Sequence, residues 1–126
     1  MKVYDSFGPN PRALRMFLRE KGIELTKIDV DLLGAENRRA PYTERNPGGQ
    51  VPALELDDGR VLGETVAIFE YLEEKHPTPP LVGRTPEERA ETRQWQRRVA
   101  SAEPAKPLCH DRADLRGGCR ADLRDR

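Results

Sequence analysis

The chain has 126 residues, 36% of them hydrophobic and 35% charged, which allows one domain and an appendage with a lean core and a heavily solvated surface. Its 22 Lys and Arg balance 22 Asp and Glu, so no general electrostatic pull toward nucleic acid or anionic lipid is expected. No apolar run approaches the roughly 18–20 residues of a membrane helix, and no apolar signal segment precedes the first strand pattern. The two cysteines, Cys109 and Cys119, make neither a disulfide framework, nor a CxxC pair, nor a zinc cluster. The expectation is a cytoplasmic protein without metal, membrane or nucleic-acid partners.

Lys2 to Asp5 reads as a short strand. Pro9-Asn10-Pro11 follows, with Asn10 expected as N-cap and Pro11 as first helical residue. Ala13, Leu14, Phe17 and Leu18 then recur at helical spacing, and Gly22 ends the helix as its C′ glycine. Thr26 to Asp31 alternates as a second strand, so the opening predicts a right-handed parallel βαβ unit. Gly34 to Arg45 is polar and irregular, and Asn46-Pro47-Gly48-Gly49 is a turn. Val51 to Leu56 and Arg60 to Leu62 read as two strands joined at Asp57-Asp58-Gly59. Gly63-Glu64-Thr65 leads into a helix with Ala67, Ile68, Tyr71 and Leu72 on one face, stopped by Pro77. Thr85-Pro86-Glu87-Glu88 is a capping box for another helix, whose seam is limited to Trp95 and Val99. From Ser101 the period is lost; Arg112 to Arg116 returns as Arg120 to Arg124, a composition that predicts low order.

Two places carry chemistry. A proline heading a strand cannot donate to the ladder, and a cis Val51–Pro52 bond would turn the Val51 N–H and C=O toward a peptide laid alongside. A helix starting at Gly63-Glu64-Thr65 offers unpaired N–H groups and partial positive charge to a carboxylate. Thr65 adds a hydroxyl and Glu64 a negative charge, which suits an α-carboxylate beside an α-ammonium. Taken singly, each has a plain structural alternative: an edge proline, and a helix cap. One hairpin length separates them, and the pairing favours the functional reading.

The stretch Asn46-Pro47-Gly48-Gly49-Gln50-Val51-Pro52-Ala53-Leu54 resembles the N-P-x-G-[KQ]-V-P-x-L motif of soluble glutathione transferases. Leu62-Gly63-Glu64-Thr65-Val66-Ala67-Ile68 resembles their L-x-[EQ]-[ST]-x-A-I motif, and Glu88-Arg89-Ala90 with Trp95 resembles the start of their helical second domain. The resemblance covers residues 1 to about 100. It implies an α/β, thioredoxin-like βαβ-ββα mixed sheet with flanking helices over 1–76, a linker over 77–86, the first helix of a truncated all-α domain over 87–100 and a low-order tail over 101–126. It also implies glutathione as co-substrate. Val51 would bond its cysteinyl part, with Pro52 the cis-proline, Gln50 would reach the peptide, and Glu64 and Thr65 would hold the γ-glutamyl group.

A thiol with a pKa near 8.5 must be activated before it attacks. Family members with serine or cysteine place it just before a proline at the first helix; here that position is Gly8. Ser6, Asn10 and Tyr4 are the catalytic candidates, the first two ahead of Tyr4. The resemblance thus implies a transferase acting on a small-molecule electrophile. A non-catalytic glutathione- or partner-binding module and an inactive fragment are the alternatives, and the amphipathic helix at 87–100 leaves room for a homodimer.

Overall fold

β1, Lys2–Asp5, forms the centre of the sheet because its alternate side chains are buried on both faces: Val3 on one, Tyr4 on the other. The computed structural model describes residues 1–102. β2, Thr26–Asp29, runs parallel to β1, with Lys2 opposite Thr26 and Asp5 opposite Asp29. β3, Ala53–Glu55, pairs antiparallel with β1, and β4, Val61–Leu62, antiparallel with β3, which gives the order β2-β1-β3-β4. This is the mixed sheet of a thioredoxin-like α/β fold.

α1, Pro9–Lys21, begins two residues earlier than the sequence suggests. Gly8 is its N-cap, with φ 118° that glycine adopts readily, and Pro9 is the first helical residue. Asn10 therefore lies inside the first turn and caps nothing. The other end matches expectation: Gly22 is left-handed at φ 66°, its N–H donates to the Arg19 carbonyl at 3.1 Å, and the Ile23 N–H donates to Leu18 at 2.9 Å.

Leu14, Phe17 and Leu18 of α1 pack with Val3, Leu54 and Leu56 and with Ile68 and Leu72 of α3, Thr65–Lys75. The Phe17 and Phe69 rings stack at 4.5 Å. Ala67, expected on that buried face, is exposed. The opposite face of the sheet holds a smaller cluster of Tyr4, Val30, Ala53 and Tyr42, the last from α2, the single turn Tyr42–Arg45. The two strands flanking the hairpin are shorter than the apolar pattern, and Gly59 turns between them at φ 84°.

Beyond α3 the chain is strapped to the sheet domain. Val82 is inserted into the larger core. Lys21 Nζ donates to the carbonyls of His76 at 2.7 Å and Pro79 at 2.6 Å, and Glu73 accepts from the N–H groups of Leu81 at 2.9 Å and Val82 at 3.2 Å. α4, Pro86–Ala102, starts with the expected capping box: the Glu88 N–H donates to Thr85 Oγ1 at 3.2 Å, and the Glu88 carboxylate accepts from the Arg84 and Thr85 N–H groups. The chain divides into two units, Met1–Ala90 and a second from Glu91. In the second, the Arg98 guanidinium lies over the Trp95 ring at 5.1 Å, and Trp95 and Val99 are both exposed. The repeated tail, with both cysteines, lies outside the described residues beyond its first positions. Among the described residues no helix is long and apolar enough to cross a membrane.

Candidate functional site

The loop before β3 is built around one peptide unit. The Gln50 carbonyl accepts two hydrogen bonds, from Tyr42 Oη at 2.7 Å and Asn46 Nδ2 at 2.8 Å. Asn37 Nδ2 donates to the carbonyl of Gly49 at 2.6 Å, and Gly49 itself is left-handed at φ 59°. Val51 follows, half-buried, and its N–H and C=O make no backbone hydrogen bond among the described residues. The Val51–Pro52 bond is cis, as the motif leads one to expect.

α3 supplies the second part. Its first intrahelical bond runs from the Ile68 N–H to the Glu64 carbonyl at 3.1 Å, which leaves the N–H groups of Thr65, Val66 and Ala67 unpaired among the described residues. No side chain caps them. Three such donors and the positive end of the helix are chemistry suited to an anion. Glu64 stands at its lip, exposed, with φ 61° and ψ 113°. A non-glycine residue in that region holds about 1–3 kcal/mol of backbone strain, the kind that concentrates at ligand-binding positions. Nothing in the sequence pattern announced it.

The start of α1 is poorer in donors. Pro9 and Pro11 have no N–H, and the Arg12 N–H already donates to the Gly8 carbonyl at 3.1 Å. The first turn retains one unpaired N–H, that of Asn10. The exposed Asn10 side chain makes no hydrogen bond among the described residues.

The other two thiol-activating candidates are engaged elsewhere. Tyr4 is 4% exposed and lies in the cluster opposite α1, with its hydroxyl donating to Glu55 Oε2 at 2.5 Å and accepting from Arg45 at 2.9 Å. That bond, with Lys2 beside it, holds the Glu55 carboxyl below its usual range. Ser6 donates its hydroxyl proton to the Val30 carbonyl at 2.8 Å. Tyr42, which the sequence reading passed over, has its phenol pushed up by burial, so it remains a protonated donor at neutral pH.

A thioredoxin-like domain with an unpaired peptide unit before a cis-proline, followed by a donor-rich helix start, is thus in place. Residues 7–75, more than half of the chain, match the family described as glutathione S-transferase, N-terminal domain, and the chain belongs to that family. It is 38% identical over 96 residues to a maleylacetoacetate isomerase of Pseudomonas aeruginosa, a match covering 74% of this chain and 45% of that protein. Among solved structures, a glutathione S-transferase domain-containing protein of Marinobacter aquaeolei VT8 is 40% identical with a TM-score of 0.76, over 80% of this chain and 51% of that one. A glutathione transferase homologue from Sulfitobacter, solved with bound glutathione, is 31% identical with a TM-score of 0.74, over 79% and 48%. The chain spans less than half the length of the curated relatives it matches.

Proposed function

We propose that this chain binds glutathione and activates its thiol for attack on a small electrophile. The Val51 peptide unit pairs with the cysteinyl main chain, Pro52 shapes that edge, and the exposed Gln50 side chain reaches the glycyl end. The unpaired N–H groups of Thr65, Val66 and Ala67, with the Thr65 hydroxyl, receive the γ-glutamyl carboxylate, and Glu64 faces the ammonium. The observation that carries this reading is the uncapped start of α3 beside the strained Glu64, in a chain 31% identical to a homologue solved with glutathione.

Asn10 is the residue best placed to stabilise the thiolate. Its main-chain N–H is the unpaired donor of the α1 first turn and its side-chain amide adds another, whereas Tyr4 and Ser6 direct their protons to Glu55 and Val30. A lowered thiol pKa makes the sulfur a nucleophile at neutral pH; the S–C bond to the electrophile forms as its leaving group departs.

A second reading is isomerisation, which the Pseudomonas relative's name favours. There the thiolate would add to a carbon–carbon double bond, rotation would follow about the resulting single bond, and loss of the thiolate would return glutathione unchanged.

Retention on immobilised glutathione, with elution by free glutathione, tests the binding. The Glu64→Ala/Thr65→Ala chain should pass through unretained; equal retention of both chains would refute the assigned site. Turnover of an aromatic chloride against a maleyl substrate separates transfer from isomerisation.

A further inference from the structure

We infer that Asn46 and Tyr42 are positioning residues that aim the Val51 N–H at the bound peptide. This rests on the glutathione reading above and adds to it two side chains that do not touch the ligand.

The argument starts from the planarity of one amide. Gln50–Val51 is not among the cis bonds, so its C=O and N–H point in opposite directions within a single plane. Whatever fixes the carbonyl fixes the N–H. Two donors converge on that carbonyl, Tyr42 Oη at 2.7 Å and Asn46 Nδ2 at 2.8 Å, and they fill both of its lone pairs. Asn46 Nδ2 also lies 3.2 Å from Tyr42 Oη, so the three groups form a closed triangle. Both side chains are buried, Asn46 at 8% and Tyr42 at 4% exposed. Each is held in turn: the Asn46 N–H donates to the Tyr42 carbonyl at 2.8 Å, and the Tyr42 ring meets Tyr4 edge-on at 5.4 Å.

With the carbonyl drawn into this pair, the Val51 N–H is directed away from it. It is the group that makes no backbone hydrogen bond among the described residues. A merely structural turn would need one donor on Gln50; a second fixes the tilt of the plane as well as its distance. Binding to a preset amide avoids the entropy of ordering it.

The test uses the full chain with Asn46→Leu and, separately, Tyr42→Phe, each first shown to unfold cooperatively in urea. Glutathione affinity is measured by calorimetry, and γ-glutamylethylamide, which keeps the charged head and lacks the cysteinyl main chain, is the second probe. Asn46→Leu should weaken glutathione about tenfold, as losing one hydrogen bond would, with γ-glutamylethylamide unaffected and the unliganded Val51 amide resonance shifted. Tyr42→Phe should do the same to a smaller degree, and carries the test alone if Asn46→Leu does not fold. Equal weakening of both probes, or an unmoved Val51 resonance, overturns the positioning role. If the parent chain fails to bind glutathione at all, the glutathione reading falls, and the Val51 resonance in the unliganded variants still decides whether these two residues orient that amide.

Discussion

Lys21 and Glu73 form an ion pair with no exposed side: the lysine side chain is 0% accessible and the carboxylate 4%. The lysine also holds the carbonyls of His76 and Pro79, while the carboxylate holds the Leu81 and Val82 amides. One helix end, one helix interior and the segment after α3 are thereby tied at a single buried point.

Removing one partner should be severe. Lys21→Met leaves a buried carboxylate without its cation, which costs about 3–5 kcal/mol. Domains of this class hold about 5–15 kcal/mol in all, with small ones at the low end. Urea unfolding should show the midpoint falling by a large fraction of its value. A loss under 1 kcal/mol would mean the pair behaves as a surface contact.

Acid should weaken the same point. Burial opposes ionisation of Glu73, but Lys21 and the Val82 and Leu81 N–H groups outweigh it, so its pKa is held below the usual range. A depressed native pKa means that the unfolded chain takes up the proton first. The stabilisation is complete above the unfolded value of about 4.3 and is lost as pH falls through it toward the native one. Urea midpoints measured from about pH 6 down to about pH 3 should fall more steeply for the parent chain than for Glu73→Gln.

Strain and binding can be separated at Glu64. Glu64→Gly releases a positive φ, so thermal stability should hold or rise by about 1 kcal/mol. Retention on glutathione should nevertheless disappear with the carboxylate. A chain that is both more stable and still retained would remove Glu64 from the site.

Gly49 should tolerate no side chain. A Cβ there would lie 2.8 Å from the Asn37 carbonyl oxygen, on a residue at φ +59°. Gly49→Ala should lower stability by about 2 kcal/mol and weaken glutathione binding, because the loop it displaces carries Gln50 and Val51. Calorimetry and chemical denaturation on the same sample read both effects.

The thiol should respond to Asn10 and ignore Ser6. Asn10→Ala should raise the titration midpoint of bound glutathione by about one pH unit, the scale of one charge-assisted hydrogen bond. Ser6→Ala should leave it in place, since that hydroxyl donates to Val30. Ultraviolet absorbance of the thiolate across pH follows the two directly. The opposite ranking would exchange their roles.

Features that depend on neighbours in the chain were legible in the sequence. Gly22 closes α1 in a left-handed conformation, Val51–Pro52 is cis, and Thr85 with Glu88 caps α4. The start of α1 departs from expectation because Asn10 is a good capping residue by type, while Gly8 with Pro9 after it fits the backbone better. The strands are shorter than their sequence patterns because Pro52 cannot donate and Val30, though it still bonds Asp5, lies past the ladder. What sequence could not show were pairings across the fold. Asn46 reads as a turn residue, and nothing in the sequence marks Lys21 as buried; only packing turns one toward Gln50 and buries the other against Glu73. Tyr4 carries the same lesson: its strand position is visible, but which side of the sheet its phenol occupies depends on register.

The unequal starts of α1 and α3 have a consequence for selectivity. Two prolines strip the first of all but a lone amide, while the second keeps three in a row. On the proposed glutathione reading, an incoming molecule with a carboxylate at one end and a soft, weakly solvated atom at the other would be sorted end for end before any side chain is consulted. Directionality of this kind would follow from where the prolines fall, and a chain with the same fold but an ordinary first turn would lack it.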